Sequence, residues 1–188
     1  MAHRSNGPAA RLRDPRVVVE TPDSAPIAQP WCGPGRGGER GGTYNRLPVK
    51  ILIVGCGRVG SRLAQELDQN GHDVTIVDNS PGAFSRFASR GVFTDSFRGT
   101  FVVGDGTEAD LLRRAGAEHA DCFIAVTQGD NRNIMAAQIA QNVFKVPKVV
   151  CRIYDPIRSD VYGKLGLSVF CPTTEGAATV RRMIKDER

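Results

Sequence analysis

From residue 49 onward, short apolar runs alternate with longer segments in which apolar residues recur every three or four positions. The short runs predict buried β-strands and the periodic segments predict amphipathic helices. The predicted strands cover residues 49–54, 73–77, 100–103, 121–126, 148–153 and 168–171, and the predicted helices cover residues 58–70, 81–90, 107–115, 130–144, 155–165 and 174–185. This alternation predicts an α/β fold, a Rossmann-like, doubly wound six-stranded parallel sheet in a single domain.

Residues 1–48 lack this periodicity. They hold seven of the eleven prolines and many glycines, which predicts a disordered N-terminal tail ahead of a folded domain at 49–185. Because the first strand begins at Val49 without a lead-in, one hypothesis is a mis-assigned start, with residues 1–48 not translated. The other interpretation is a genuine flexible tail. N-terminal sequencing of the native protein distinguishes the two.

Three glycines follow the first predicted strand in the pattern G-x-G-x-x-G, at Gly55, Gly57 and Gly60. In such a loop the first glycine permits a tight turn, and the second lets a pyrophosphate approach the backbone. The third lets the helix pack closely on the strand. The start of the helix then offers N–H groups and partial positive charge to phosphates. The alternative interpretation is a tight turn that binds no ligand.

An acidic residue, Asp78, ends the second predicted strand, 18 residues after Gly60. Its carboxylate is placed to accept hydrogen bonds from ribose hydroxyls, and its charge would repel a 2′-phosphate. NAD or ATP is therefore expected in preference to NADP.

Polar residues also follow the later strands, where ligands bind in open parallel sheets. Thr127 and Gln128 follow the fourth strand, and Arg152 lies near the end of the fifth, where an arginine needs an anion or solvent. Asp105 and Gly106 follow the third strand; for Asp105, a turn residue and a ligand contact remain equal alternatives. For Asn133 the simpler interpretation is the cap of a helix turn.

The remaining composition argues against catalysis. None of the three histidines follows a strand, no cysteine or acid cluster has metal-ligand spacing, and no general acid is evident for hydride transfer. The net charge of +5 comes largely from residues 1–48, and no basic cluster with interleaved aromatics indicates nucleic-acid binding. Without a signal-peptide core or a membrane-spanning run, a cytoplasmic protein with reduced cysteines is expected. Cys56 lies near a helix start, which could lower the pKa of its thiol. A redox role for this cysteine is a minor alternative.

The folded sequence resembles the N-terminal nucleotide-binding domain of Trk/Ktr potassium-uptake regulators, the RCK or TrkA-N domain. The resemblance spans nearly all of residues 49–185. The segments that carry it are residues 53–60 (IVGCGRVG), 71–78 (GHDVTIVD), 104–107 (GDGT), 125–133 (AVTQGDNRN), 149–156 (VVCRIYDP) and 162–167 (YGKLGL). Many members continue into a second domain, so this chain is similar to single-domain members.

The resemblance implies a cytoplasmic regulatory subunit, peripheral to the inner face of the membrane, that binds NAD(H) or ATP/ADP. It would gate a membrane potassium transporter, as a homo-oligomer (dimer or ring) or paired with a second regulator. The matching positions are the phosphate-binding loop (Gly55, Cys56, Gly57, Arg58 and Val59), the ribose-binding Asp78, and Thr127, Gln128 and Arg152. Arg58 would reach a terminal phosphate, which favours ATP. The alternatives are a small NAD-dependent oxidoreductase and a redox sensor unconnected with transport.

Overall fold

The computed structural model describes residues 17–19, 48–93 and 96–185. The predicted parallel α/β fold is confirmed. The strands are β1 (Val17–Val19), β2 (Lys50–Val54), β3 (Asp73–Asp78), β4 (Thr100–Val103), β5 (Cys122–Ala125), β6 (Lys148–Arg152) and β7 (Ser168–Phe170). The helices are α1 (Arg58–Gln69), α2 (Pro81–Ala88), α3 (Ala109–Arg114), α4 (Asp130–Asn142), α5 (Pro156–Lys164) and α6 (Pro172–Lys185), with a short 3₁₀ helix at Ala117–His119.

All strand pairs are parallel, and the spatial order is β1-β4-β3-β2-β5-β6-β7. The chain moves from β2 outward to β4 and then returns to place β5 on the other side of β2. This reversal opens a crevice between the carboxyl ends of β2 and β5, where ligands of doubly wound sheets bind. The glycine loop that follows β2 therefore lies at the switch point.

Strand β1 was not predicted. Val17–Val19 pairs with β4 in parallel register, Val18 opposite Val102, and extends the sheet to seven strands. These residues fall in the predicted disordered tail, because residues 1–48 are rich in proline and glycine and show no sustained periodicity. The rest of that predicted tail lies outside the described residues.

Alternating side chains of the strands form two apolar cores, one on each face of the sheet. On one face, Ile53 and Ile76 pack against α1 and α2 with a cluster of phenylalanines that includes Phe84 and Phe101. The other face packs residues such as Leu52 and Phe123 against α3 and α4. Burial on both faces explains why the central strands are continuously apolar.

Helix boundaries differ from the prediction by a few residues. Helix α6 begins at Pro172 rather than at Thr174, and α3 begins at Ala109 with Glu108 as its N-cap. Thr107, at which this helix was predicted to begin, instead donates from its N–H and hydroxyl to Asp105. Within the described ranges, no helix has the length and apolar character needed to cross a bilayer.

Candidate functional site

The loop between β2 and α1 is shaped by two glycines that accept no side chain. Gly55 has φ +109°, a conformation that residues with a Cβ rarely adopt, and its N–H donates to the Val77 carbonyl at 2.7 Å. A Cβ on Gly60 would lie 1.9 Å from the Gly55 carbonyl oxygen. The close approach of α1 to the strand end therefore depends on both glycines.

Gly57 is different because its surroundings are open. A Cβ built on it would meet no atom within 4 Å, so glycine is not required there by packing. Gly57 is the N-cap of α1, which has no side-chain cap and no acidic residue in its first turn. The positive end of this helix therefore has no compensating side chain of its own and lies beside open space at Gly57. The next two residues, Arg58 and Val59, are both exposed.

The carboxylate of Asp78 holds this loop. One of its oxygens accepts from the Cys56 N–H at 2.7 Å, and the other accepts from the Ser80 N–H at 2.9 Å. The side chain is half-buried at the carboxyl end of β3. Because a carboxylate has about four acceptor positions, Asp78 keeps capacity for a ligand hydroxyl while it fixes the loop.

The lowered thiol pKa expected for Cys56 in the redox interpretation is contradicted. Its side chain is buried, and burial together with the nearby Asp78 charge raises the pKa of the thiol to about 12, although the Arg86 guanidinium opposes the shift. The helix start does not produce a reactive thiolate here, because the thiol is enclosed and faces an acid.

Cys56 should therefore resist alkylation in the folded protein. At pH 8 a thiol with a pKa near 12 carries on the order of 10³ times less thiolate than an ordinary cysteine. Iodoacetamide labelling followed by peptide mass spectrometry should leave Cys56 unmodified until denaturant is added. Rapid native labelling at a rate typical of a free cysteine would contradict this burial.

The loop after β4 is held mainly by its own contacts. Asp105 accepts from the N–H and hydroxyl of Thr107 at 2.9 and 2.8 Å, which lowers the pKa of its carboxyl, with a smaller contribution from the Arg132 charge. Gly106 is buried, and a Cβ there would lie 2.2 Å from a methyl of Val54. The turn interpretation of Asp105 thus has direct support, and Gly106 packs against β2.

The opposite wall of the crevice is formed by Thr127 and Arg152. A Cβ on Gly55 would lie 2.8 Å from the Thr127 nitrogen, so this wall adjoins the glycine loop. The guanidinium of Arg152 donates from Nη2 to the Thr127 carbonyl and stacks on the Tyr154 ring, 4.6 Å from its centroid. Arg152 is 5% exposed, and its Nε has no hydrogen-bond partner among the described residues.

The predicted site residues do not all lie together in this crevice. The structure brings together the glycine loop, Asp78, Thr127 and Arg152, whereas Gln128 lies exposed beyond Thr127. A cavity of about 180 Å³, lined by Lys50, His119 and other residues near the amino ends of β2, β3 and β4, contains none of them. In the described part of the chain no group of three or more His, Cys, Asp or Glu residues is arranged to hold a metal ion.

Four residues of this region were missed or misinterpreted from the sequence. Arg86 lies close enough to affect the pKa of Cys56, and Arg132 close enough to affect that of Asp105. The ring of Tyr154 packs against the Arg152 guanidinium. Asn133 is not a helix cap: it is fully buried and its amide contacts Thr127 and Arg152. Asn133 is the fourth residue of a helix that begins just after the end of β5, and this position was the one sign in the sequence that its side chain could reach the strand end.

Comparison with known proteins gives the family. The TrkA-N domain model matches residues 51–172. The Trk system potassium uptake protein TrkA of Streptomyces coelicolor is 50% identical over 133 residues, which make up 71% of this chain and 54% of that protein. The chain therefore spans about half the length of this relative.

Two solved structures share the fold. The Kef CTD of Shewanella denitrificans in its AMP-bound form has a TM-score of 0.58 at 23% identity, over 70% of this chain and 76% of that one. The GsuK channel bound to NAD has a TM-score of 0.53 at 16% identity, over 68% of this chain and 22% of that one. With the glycine loop at the switch point and a family match over most of the folded residues, the chain belongs to the TrkA-N domain family.

Proposed function

We propose that this protein is a nucleotide-binding regulatory subunit of a potassium uptake system, which binds NAD(H) or ATP/ADP and gates a membrane transporter from the cytoplasmic side. It acts through binding rather than catalysis. The family match and the name of the Streptomyces relative support the potassium-transport part of this proposal.

The observation that carries the nucleotide site is the uncapped start of α1. Backbone N–H groups of its first turn lack intrahelical partners, and Gly57 leaves the approach to them open. Asp78 stands at the neighbouring strand end, where a ribose joined to the phosphates would lie. Phosphate and ribose recognition are therefore adjacent, as a nucleotide requires.

Arginines around this crevice favour a ligand with phosphates. Arg58 is the first residue of α1 and is exposed, which suits contact with a terminal phosphate. Arg152 is a buried cation for which the described residues provide no carboxylate within ion-pair distance, so an anionic ligand would complete its environment. The AMP and NAD named for the two structural neighbours are of the same chemical class.

Exposed apolar side chains on α5 and α6 support the proposed assembly. Ile157 of α5 and Leu165, the C-cap of that helix, are 76% and 70% exposed, and Met183 and Ile184 of α6 are 66% and 67% exposed. An apolar surface of this kind marks an interaction site in a soluble protein. We assign it to association with further copies of the regulator or with a second regulator.

Gating in this proposal follows from differential affinity. A nucleotide can change the transporter only if it binds two conformations of the regulator with different affinity. The difference between its binding free energies for the two conformations then sets the maximum shift between them. Co-purification with a membrane potassium transporter would distinguish this function from redox sensing apart from transport.

A thermal-shift screen tests the nucleotide site directly. A nucleotide at about 100 times its dissociation constant should stabilise the fold by about 2.7 kcal/mol. NADH, NAD, ATP and ADP are the expected ligands, and NADPH should bind more weakly because Asp78 repels its 2′-phosphate. The absence of any shift with all five would overturn the proposal, and steady NADH turnover with a small carbonyl substrate would favour the oxidoreductase alternative.

Replacement of Arg152 should separate binding from stability. Arg152→Met removes a buried cation whose Nε is unpaired, so the free energy of unfolding should stay the same or increase. Nucleotide affinity should fall by about 1.5–3 kcal/mol through the lost charged hydrogen bonds. Lys148→Met, at the exposed opposite end of the same strand, is the charge-matched control. If calorimetry gave the same nucleotide affinity for both variants, Arg152 would not take part in nucleotide binding.

A further inference from the structure

Asn133 lies in the first turn of α4 and has no exposed surface. Its Oδ1 accepts from both the N–H and the hydroxyl of Thr127, each at 2.7 Å. Its Nδ2 donates to the Thr127 carbonyl at 3.0 Å and to the Arg152 carbonyl at 2.9 Å. These four hydrogen bonds use the full capacity of a side-chain amide.

The Asn133 side-chain amide provides the hydrogen bonds between the two strand ends where the backbone pairing of β5 and β6 stops. The register of β5 and β6 runs from Cys122 opposite Lys148 to Ala125 opposite Cys151. Just beyond that last pair, Asn133 joins Thr127 to Arg152 through its side chain. The backbone carbonyl and amide groups that would otherwise be left unpaired at these two strand ends are thereby satisfied inside the protein.

The position of the Arg152 guanidinium depends on the same contacts. Its Nη2 donates to the Thr127 carbonyl, which also accepts from the Asn133 amide. Asn133 thus fixes both the backbone from which Arg152 extends and the carbonyl on which its guanidinium rests. Through Thr127 it also fixes the wall that Gly55 approaches most closely.

We propose that Asn133 is a positioning residue of the nucleotide site, holding the Thr127 wall and the Arg152 guanidinium in the arrangement that receives the ligand. The inference rests on the nucleotide-binding function proposed above. Asn133 does not touch the ligand, because its amide is enclosed by Thr127, Arg152 and the core. Because Arg152 is the charged group of this wall that is proposed to bind the nucleotide, the contribution of Asn133 to affinity passes mainly through Arg152.

A double-mutant cycle tests this route, with ATP and NADH as probes and calorimetry as the measurement. Asn133→Ser should weaken binding of the nucleotide that the wild-type protein takes by at least tenfold. In combination with Arg152→Met it should add less than threefold to the loss caused by Arg152→Met alone, because both changes remove the same interaction. If Asn133 affected binding independently of Arg152, the two losses of binding free energy would add.

Ala140→Gly is the matched control. It lies in the same helix and is fully buried, but it has no contact with Thr127 or Arg152 among the hydrogen bonds described above. It should lower the melting temperature and leave the dissociation constant within twofold of wild type. If Asn133→Ser does not fold, Asn133→Asp replaces it, since the carboxylate keeps the acceptor for Thr127 and loses both donors.

The inference and the proposed function fail separately. Wild-type protein that binds neither probe overturns the function and the inference with it. Wild-type binding together with an unchanged dissociation constant in the Asn133 variant, or with additive losses in the double variant, overturns the inference alone. A loss of affinity in Ala140→Gly equal to that in Asn133→Ser would also overturn it, because the effect would then follow stability.

Discussion

Gly60→Ala should lower the free energy of unfolding by about 3 kcal/mol, the upper end of the usual cost of forcing a methyl group into closely packed atoms. The added Cβ would lie 1.9 Å from the Gly55 carbonyl oxygen and 3.1 Å from its carbonyl carbon. Neither atom belongs to a flexible side chain, so α1 has to move away from the end of β2. Denaturant unfolding followed by circular dichroism measures the loss.

Gly57→Ala provides the control within the same loop. A methyl group at Gly57 meets nothing within 4 Å and the backbone φ is −90°, so the free energy of unfolding should change by only about 0.5 kcal/mol. Nucleotide affinity should nevertheless fall, because the methyl group occupies the approach to the helix start. If Gly57→Ala destabilised the fold as much as Gly60→Ala, the close approach at Gly60 would not be the reason for glycine there.

Asp78→Ala should affect folding and binding together. The N–H groups of Cys56 and Ser80 lose their acceptor, which should cost about 1–2 kcal/mol of unfolding free energy. Loss of charged hydrogen bonds to the ribose should cost about 1.5–3 kcal/mol of binding free energy. Chemical denaturation gives the first quantity, and calorimetric titration with NADH or ATP gives the second.

Asp73→Ala makes the same charge change at the opposite end of the same strand, where the side chain is exposed. It should leave nucleotide affinity unchanged, so a loss specific to Asp78 cannot come from net charge. Unchanged affinity in Asp78→Ala would exclude the carboxylate from ligand recognition. Unchanged stability would mean that the loop does not depend on it either.

The sheet could be predicted because its strands are buried on both faces and therefore appear as unbroken apolar runs. The glycine loop and Asp78 could be predicted because their spacing follows from strand and helix geometry. The strand at Val17–Val19 could not, since three residues carry no period and its pairing with β4 joins segments more than 80 residues apart in the chain.

The second wall of the site was only partly predictable. Arg152 was identified as a cation near the end of an apolar strand, but its stacking on Tyr154 depends on where the chain turns after β6. Asn133 was interpreted as a cap because asparagine near the start of a helix usually has that role. Its actual contacts join two strand ends, and such tertiary contacts leave no local pattern in the sequence.

The two walls of the crevice differ in how complete their hydrogen bonding is. The glycine loop is already tied to Asp78, so its conformational entropy is lost when the protein folds and not when a nucleotide arrives. On the facing wall, the Nε of Arg152 is buried without a partner among the described residues. The glycine loop therefore loses little further conformational entropy when a ligand docks. Any rearrangement upon docking is expected at Arg152 beside β6, because a ligand could supply the hydrogen-bond partner that its Nε lacks.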